Sequence, residues 1–474
     1  MAIAIELNNL KYRYDVYQIF SLFFPLNQLN FNTTSADYKI HIGENSILIE
    51  DKDGIESFNI NKEANIKQEV KQSSYIFLEK RTGKKIPWGT LVGIRPSKIA
   101  LALLKEGKSE KEIIDYYKEH YIVEEEKAKL CIEVAKIESK MVNNDKRKIS
   151  IYIGMPFCPT RCLYCSFTSN PIVSCKNLVE EYLNALTKEI EEISRFVKEK
   201  ELIIETVYFG GGTPTSVKDE EFEKIMETIY NSFIHGNNNV HEFTVECGRP
   251  DSLSMHKFST MKKYGVTRIS INPQTMNNDT LKLIGRNHSV EDIKDKYRMA
   301  RDMGFENINM DIIVGLPGER LSHVRNTCKE IYNLKPDSIT VHGMSFKKGS
   351  KLYEKLEEYL RDIEQNELNK MHEETFKLSK SLDMNPYYMY RQKNMVWNME
   401  NVGYSLKGKE CIYNIQMIEE RQTIIALGAD AITKVIYLEL NKIERVPNVK
   451  DVLEYNNRID EMINKKITEL NKLY

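Results

Sequence analysis

Met155-Pro-Phe-Cys-Pro-Thr-Arg-Cys-Leu-Tyr-Cys-Ser-Phe167 overlaps and extends a predicted strand, Ile149–Phe157, and carries three cysteines in the spacing C-x-x-x-C-x-x-C. A structural zinc ion normally takes four protein ligands, whereas iron–sulfur clusters are held by cysteine thiolates. The thiolates of Cys158, Cys162 and Cys165 would leave one iron of a four-iron cluster free to bind a small molecule. On the cysteines alone, a zinc knuckle and ordinary buried thiols stay open as alternatives.

Strand-like runs alternate with helix-like runs from Lys148 to Phe346. Strands separated by helices predict right-handed crossover units and a parallel sheet, so we expect an α/β fold built on an incomplete parallel (β/α)6 barrel. Ligands of such sheets bind at the carboxyl ends of the strands, which is where the cysteine run lies. The predicted strands are Ile149–Phe157, Thr206–Gly210, Glu242–Glu246, Arg268–Asn272, Ile308–Val314 and Ser338–Val341.

The chain of 474 residues is longer than one hydrophobic core usually supports, so we expect two or three structural units. Residues 1–62 predict a small α+β unit, because short apolar or alternating runs surround one helical stretch. Residues 63–147 are charged and helix-like and predict a helical connector. Residues 148–346 form the predicted barrel, and residues 347–474 predict a mainly helical extension that covers it.

The charge balance and the N-terminal sequence narrow the class of protein. Lysine plus arginine (68) nearly equals aspartate plus glutamate (69), and a formal charge of −1 gives no reason to expect nucleic-acid or membrane binding. The chain starts without the pattern of a signal peptide and has no apolar stretch of membrane-spanning length, so we expect a cytoplasmic protein. Eight cysteines are too few for a disulfide scaffold, and the clustering of three points to metal or catalysis.

Polar residues and a glycine run stand near the ends of the later strands. Gly210-Gly-Gly-Thr-Pro-Thr215 lets backbone groups approach a ligand that any Cβ would exclude, although a tight turn also explains it. Glu246 is either a carboxylate able to bridge two ribose hydroxyls or a solvated acid. Gln274 follows the fourth strand, and Arg286 could pair with a carboxylate in bidentate fashion. Asp311 lies in an apolar strand, where an acid needs a ligand or an internal ion pair.

The order of these motifs resembles the radical S-adenosylmethionine (SAM) superfamily, within it the subgroup of oxygen-independent coproporphyrinogen III oxidase, also called coproporphyrinogen III dehydrogenase. The resemblance covers residues 148–346. Trp88-Gly-Thr-Leu-Val-Gly-Ile-Arg-Pro96 and Tyr387-Tyr-Met-Tyr-Arg-Gln-Lys-Asn394 resemble the Firmicute branch labelled coproporphyrinogen dehydrogenase-like. The resemblance implies a [4Fe-4S] cluster whose ligands are Cys158, Cys162 and Cys165.

The same resemblance implies binding of one or two SAM molecules. The residues implied for the first are Tyr152, Gly211 and Glu246. The residues implied for the second are Tyr164, Gly212, Thr213, Gln274, Arg286 and Asp311. Two further contacts align at Ser345 and Ile432.

The family resemblance implies that the protein is an oxidoreductase of tetrapyrrole metabolism. Cleavage of SAM, with an electron from a reduced flavodoxin or ferredoxin-type donor, would start hydrogen abstraction from propionates of coproporphyrinogen III. Loss of carbon dioxide and an electron would then leave vinyl groups, giving protoporphyrinogen IX in anaerobic haem biosynthesis. Phe167 replaces a fourth cysteine of the established dehydrogenase, as in radical SAM haem chaperones. A chaperone that binds and transfers haem is therefore an alternative, and so is a radical SAM enzyme that methylates or opens haem.

Four further residues are candidates for tetrapyrrole contacts. Arg391 and Lys393 could meet propionates, or they could lie in a solvated loop. His342 and His288 could ligate haem iron, although a lone histidine is more often a satisfied structural residue.

Overall fold

The computed structural model describes residues 3–24, 28–31, 35–61, 65–142, 144–166, 170–347, 349–355, 364–392 and 399–474. The chain forms two compact units. The first comprises Met1–Ala135 with Arg391–Met399, and the second comprises Lys136–Tyr390 with Glu400–Tyr474. This division differs from the four expected segments, because most of the predicted connector belongs to the same unit as residues 1–62. Within the described parts of the chain, no helix is long and apolar enough to cross a lipid bilayer.

A five-stranded sheet with helices builds the first unit. Its strands are β1 (Ile3–Leu7), β2 (Leu29–Phe31), β3 (Tyr38–Ile42), β4 (Ser46–Asp51) and β5 (Gly54–Asn59). The spatial order is β2-β1-β3-β4-β5, in which β1 runs parallel to both neighbours and β3, β4 and β5 are antiparallel. Alternation along β4 sends Ile47 and Ile49 into the core and Leu48 outward, as expected for a sheet with one solvated face.

Helices account for most of the predicted connector. Helix α1 (Arg13–Phe23) lies within residues 1–62, and the helices of the connector are α2 (Ile66–Thr82), α3 (Ser97–Lys105), α4 (Glu110–Tyr121) and α5 (Glu125–Met141). Asn65 caps α2 through its side chain, and Gly83 ends that helix in the left-handed conformation at φ +66°. Ser109 and Glu112 form a capping box at the start of α4. The local sequence signals therefore explain where these helices begin and end.

Six parallel strands form the centre of the sheet in the second unit. The strands of this part are β6 (Lys148–Met155), β7 (Phe157–Cys158), β8 (Asn170–Pro171), β9 (Ile203–Gly211), β10 (Glu242–Glu246), β11 (Arg268–Ser270), β12 (Ile308–Val314) and β13 (Ser338–Gly343). Strands β6 and β9 to β13 pair in chain order, each parallel to the next. This arrangement confirms the six expected strands, and β10 and β12 have the predicted bounds.

Amphipathic helices connect the parallel strands. They are α6 (Lys176–Glu199), α7 (Asp219–Ile229), α8 (Met255–Lys263), α9 (Asn278–Leu283), α10 (Val290–Asp302) and α11 (Leu321–Leu334). In α6, the buried residues Leu186, Ile190 and Ile193 recur at helical spacing and define the face that packs on the sheet. The strand–helix alternation fixes all carboxyl ends of β6 and β9 to β13 on one side.

The extension after the barrel adds strands as well as helices. Its elements are α12 (Gln365–Ser381), β14 (Asn385–Tyr390), β15 (Asn401–Ser405), α13 (Ile412–Glu419), β16 (Thr423–Leu427), β17 (Ile432–Tyr437), β18 (Lys442–Pro447), α14 (Val452–Asn457) and α15 (Ile459–Leu470). Strands β15 and β14 continue the sheet beyond β13, while β16, β17 and β18 continue it beyond β6. The expectation of a mainly helical extension is corrected here, because these five strands complete an open sheet of eleven.

A buried carboxylate joins several elements of this extension to α6. Glu189 is fully buried and accepts hydrogen bonds from the side chains of Lys466 (2.5 Å), Tyr455 (2.6 Å) and Asn448 (2.9 Å). It also accepts one from the backbone N–H of Gly428 at 2.8 Å. Because these donors come from four different segments, Glu189 fixes the turn between β16 and β17.

That turn lies close to the end of β6. Gly428 has φ +101°, and a Cβ there would stand 2.5 Å from the carbonyl oxygen of Gly154 and 2.7 Å from the Tyr182 hydroxyl. Tyr182 in turn donates to the Gly154 carbonyl at 2.6 Å. The extension is therefore held against the strand that leads to the three clustered cysteines.

Candidate functional site

The three clustered cysteines lie in the loop that follows β6. Cys158 and Cys162 are buried, Cys165 is half-buried, and none of the three is in a disulfide. Backbone hydrogen bonds fix the loop, from Leu163 N to the Ile284 carbonyl (3.0 Å) and from Cys165 N to the Cys162 carbonyl (3.2 Å). The three side chains are close enough for their charges to influence one another. The structure thus places the three predicted cluster ligands in one segment after the first barrel strand, at its carboxyl end.

Polar and cationic groups surround these thiols. Burial raises the pKa of Cys158 to about 12, although the Thr213 hydroxyl, which donates to its sulfur at 3.4 Å, acts in the opposite direction. Arg249 Nη1 lies 3.7 Å from the sulfur of Cys162. Arg249 also opposes the rise in the pKa of Cys158, because a nearby positive charge favours the thiolate form that metal ligation requires.

The glycine run leaves space beside the cysteine loop. A Cβ at Gly212 would lie 2.6 Å from the Phe157 carbonyl and 3.0 Å from the Cys158 sulfur, so only glycine leaves space beside that sulfur. Three thiols on one loop, with glycine backbone beside them, fit a cubane cluster that keeps one iron open.

The glycine run ends β9 and packs directly on the cysteine strand. Gly211 has φ +106°, and a Cβ there would stand 2.8 Å from the Met155 carbonyl oxygen. The backbone N–H groups of Gly212 and Thr213 donate to the carbonyls of Met155 (2.6 Å) and Phe157 (2.8 Å). Close backbone contact, and not only a turn, therefore explains why glycines occupy these positions.

Glu246 ends β10 beside the glycine run. The Tyr208 hydroxyl donates to its carboxylate, and a Cβ at Gly210 would lie 2.9 Å from Glu246 Oε2. Burial raises the pKa of Glu246 to about 7, with Asp311 adding to the rise, while Tyr208 and Arg268 oppose it. Glu246 is therefore a carboxylate whose charge changes near neutral pH.

Three tyrosines stack next to Glu246. The ring centroids of Tyr208 and Tyr413 are 4.3 Å apart, and Tyr152 lies 6.2 Å from Tyr208 and 6.1 Å from Tyr413. Burial raises the pKa of Tyr152, and the charge of Glu246 raises it further. Tyr152, which the sequence predicted as a site residue, is thus a neighbour of Glu246 in space.

Asp311 faces the same end of the barrel from β12. It accepts a hydrogen bond from the Asn309 side chain at 2.7 Å, and its Oδ2 lies 3.8 Å from His342 Nε2. Burial by itself would raise the pKa of Asp311, but His342 holds it below its usual range. The Tyr390 hydroxyl lies 3.5 Å from the other ring nitrogen of His342. The internal partner expected as an alternative for Asp311 is therefore His342, and the contact is an ion pair when the imidazole is protonated.

Gln274 and Arg286 are buried residues with unused hydrogen-bonding atoms. Gln274 has φ +65°, rare for a residue with a side chain, and its N–H donates to the Asp311 carbonyl at 2.9 Å. Arg286 Nη1 donates to the Asn272 carbonyl at 2.6 Å. Burial alone would lower the pKa of Arg286, but the neighbouring Tyr164 raises it. Among the described residues, Gln274 Oε1 and Arg286 Nε have no hydrogen-bond partner, as expected for groups that meet a ligand.

Two predicted contacts lie further along the chain. Ser345 follows β13, and its buried hydroxyl has no hydrogen-bond partner within the described ranges. Ile432 begins β17 and is 45% exposed, and β16 separates it from β6 in the sheet. Ser345, like Gln274, therefore has a buried polar atom without a hydrogen-bond partner among the described residues. Ile432 instead has an exposed apolar side chain.

The residues considered for tetrapyrrole contacts have different surroundings. Arg391 is buried in the first unit, where its guanidinium donates to the Leu91 carbonyl and lies 4.9 Å from the Trp88 ring centroid. His288 has a fully buried side chain that faces Asp251 at 3.4 Å. His342 is partly exposed beside Asp311. Phe167 and Lys393 lie outside the described residues.

Sequence reasoning missed two residues of the site. Tyr413 comes from α13, and only the three-dimensional structure brings it onto Tyr208. Arg249 belongs to the run Thr244-Val-Glu-Cys-Gly-Arg-Pro250, whose Glu246 was predicted, yet nothing in that run shows that the arginine reaches Cys162.

Comparison with known proteins identifies the family of this chain. The radical SAM superfamily pattern matches residues 152–331. The chain is also 41% identical over 419 residues to the oxygen-independent coproporphyrinogen-III oxidase-like protein HemZ of Bacillus subtilis (strain 168), covering 87% of this chain and 83% of that protein. The chain belongs to the radical SAM superfamily. Membership in the radical SAM superfamily implies a [4Fe-4S] cluster and SAM as cofactors.

Two further relatives of this radical SAM protein resemble part of the chain or its fold. The haem chaperone HemW of B. subtilis (strain 168) is 38% identical over 195 residues, which span 41% of this chain and 50% of HemW. The structure of coproporphyrinogen III oxidase (HemN) from Escherichia coli superposes with a TM-score of 0.52 at 20% identity, covering 69% of this chain and 72% of that one. The superposition confirms the radical SAM fold.

Proposed function

We propose that this chain is a radical SAM enzyme that converts propionates of coproporphyrinogen III to vinyl groups, giving protoporphyrinogen IX. The observation that carries the proposal is the 41% identity to a coproporphyrinogen-III oxidase-like protein along most of both chains. The site supports it, because a cysteine loop, a glycine run and the carboxylate of Glu246 stand at successive strand ends. When bound, the cluster and SAM supply a 5′-deoxyadenosyl radical that can abstract hydrogen from carbon.

In this proposal, Cys158, Cys162 and Cys165 hold three irons of the cluster. The glycine run provides backbone carbonyls for the ammonium group of SAM, and Glu246 accepts hydrogen bonds from its ribose hydroxyls. Packing of the run against β6 excludes water from that side of the cluster loop. A reduced flavodoxin or ferredoxin-type protein provides the electron.

A second SAM molecule would use the buried atoms that lack partners. Gln274 Oε1 and Arg286 Nε are unused in the described structure; an amino group could donate to Gln274 Oε1, and a carboxylate could accept from Arg286 Nε. Asp311, whose Oδ2 lies 3.8 Å from His342 Nε2, is a further contact proposed for the second SAM molecule. The remaining residues proposed around this position are Tyr164, Gly212, Thr213, Ser345 and Ile432.

The decisive test is an anaerobic assay of the reconstituted protein with coproporphyrinogen III, SAM and a reductant. Protoporphyrinogen IX, identified by mass spectrometry after oxidation to the porphyrin, is the expected product. Cleavage of SAM without a vinyl product would exclude the decarboxylation.

Haem binding and transfer is the second candidate function, and the 38% identity to the haem chaperone HemW favours it. Here His342, which is partly exposed and lies beside Tyr390, would be the iron ligand. Tight stoichiometric haem binding that is lost in His342→Ala would support this function. A His342→Ala variant with unchanged haem binding would contradict that assignment of the ligand.

The raised pKa of Glu246 predicts how SAM binding depends on pH. Protonated Glu246 cannot accept two hydrogen bonds as strongly as the carboxylate, so affinity should increase as the pH rises through about 7. We expect Glu246→Gln to bind SAM about tenfold or more weakly at alkaline pH, because hydrogen bonds to charged groups contribute about 1.5–3 kcal/mol. Equilibrium dialysis of the unreduced, cluster-loaded protein measures this without turnover.

The matched control for this experiment is Glu227→Gln, which changes an exposed glutamate on α7. It should leave both affinity and pH dependence as in the wild type. Equal pH dependence in the wild type and Glu246→Gln would show that another group titrates.

A further inference from the structure

Arg249 lies beside the cysteine loop, and the proposed function assigns it no role. Its guanidinium is buried, with Nη1 at 3.7 Å from the Cys162 sulfur and 3.0 Å from the Thr160 hydroxyl. We propose that Arg249 is a positioning residue that holds a fixed positive charge against Cys162 and raises the reduction potential of the cluster. The inference rests on the cluster assigned above.

The guanidinium is held in one orientation by a bidentate ion pair. Arg249 Nε lies 2.9 Å from Asp251 Oδ1, and Nη2 lies 2.7 Å from Oδ2, which leaves Nη1 to face the cysteine loop. Burial by itself would raise the pKa of Asp251, but His288 and Arg249 hold it well below its usual range. Asp251 is therefore ionised and keeps the arginine in place.

Neighbouring contacts prevent the pair from turning away. The Arg249 carbonyl accepts a hydrogen bond from the Ser252 hydroxyl at 2.7 Å, and the tight turn Pro250–Ser252 follows directly. The Thr160 hydroxyl, which accepts from Arg249, donates to the Gly285 carbonyl at 2.8 Å. Residues of the segment after β10 and of the cysteine loop therefore both hold the Arg249 guanidinium in position.

The effect on the cluster follows from electrostatics. Reduction adds one electron from the donor protein to the cluster, and Arg249 neither gains nor loses an electron or a proton. A nearby positive charge and an N–H directed at a ligand sulfur both stabilise the more negative, reduced form. Removal of that charge should therefore make the cluster harder to reduce.

The test is the midpoint potential of the reconstituted cluster, measured by anaerobic redox titration with electron paramagnetic resonance, in the wild type and Arg249→Met. We expect full iron content and an equilibrium constant for reduction that is lower by about tenfold, which is about 59 mV for one electron. Where the Met variant does not fold, Arg249→Gln decides, because it keeps a polar side chain at this position but carries no charge.

A matched control is Lys257→Met on α8. Lys257 is also a buried cation, but its ammonium donates to the carbonyls of Thr215 (2.7 Å) and Ser252 (3.0 Å) and not to a cysteine of the loop. Its midpoint potential should equal that of the wild type. An unchanged potential in iron-loaded Arg249→Met or Arg249→Gln, or an equal drop in Lys257→Met, would overturn the inference. If the wild-type protein takes up no iron, that result would instead contradict the proposed cluster and, with it, the inference about Arg249.

Discussion

Cys162→Ala is expected to abolish cluster binding, with iron falling from about four atoms per chain to the background of the measurement. Cys162 is buried in the loop after β6 and is the middle one of the three cysteines. Its carbonyl accepts a hydrogen bond from Cys165 N. Without its thiolate, two of the four irons lack a protein ligand. Iron and sulfide analysis of the anaerobically reconstituted protein measures the loss, and SAM cleavage should disappear with it.

Cys175→Ala is the matched control for this variant. Cys175 is also a free, half-buried thiol, and it lies in the turn Ile172–Cys175 that follows the cysteine loop. It should keep the iron content and SAM cleavage of the wild type. Full iron content in Cys162→Ala, or an equal loss in both variants, would contradict the assignment of the ligands.

Lys466→Met is expected to lower the free energy of unfolding by about 3–5 kcal/mol, because it removes one partner of a fully buried ion pair. Lys466 and Glu189 are both inaccessible to solvent, and their charged atoms lie 2.5 Å apart. The substitution leaves Glu189 as a buried, uncompensated charge and leaves the Ala426 carbonyl without its Lys466 donor. Urea unfolding of the protein, followed by circular dichroism, measures the change.

Lys188→Met is the matched control, since Lys188 is the neighbour of Glu189 on the same helix and pairs with Asp460 on the same partner helix. That pair is 2.6 Å long, but its side chains are 46% and 71% exposed. Exposed pairs contribute about 0–1 kcal/mol, so little change is expected. Equal losses of unfolding free energy in Lys466→Met and Lys188→Met would show that burial does not determine how much the Lys466–Glu189 pair contributes to stability.

The barrel strands and the cysteine loop could be predicted from local sequence. Strands β10 and β12 are short apolar runs bounded by turn residues, and such runs between helical patterns indicate a parallel sheet. The glycine run and Glu246 were predicted from their position at strand ends, and the structure places them together. These features depend on spacing within one segment or on the general topology of parallel sheets.

Features that depend on distant contacts could not be predicted. Strand β16, Thr423–Leu427, is a short apolar run that periodicity cannot distinguish from a buried helix, and only its pairing with β6 makes it a strand. Arg391 was predicted either to meet a propionate or to lie in a solvated loop, but it is buried against Trp88. Arg249 reaches Cys162 because two loops meet at the same edge, and sequence spacing does not report such a meeting.

The pairing of β16 with β6 also bears on the order of events during protein synthesis. Thr423 pairs with Ile149, and Lys466 reaches Glu189 across 277 positions of the chain. Contacts between such distant segments form only after nearly the whole polypeptide has left the ribosome. We therefore expect cluster insertion to follow translation, because the strand leading to the cysteines gains its second neighbour only then.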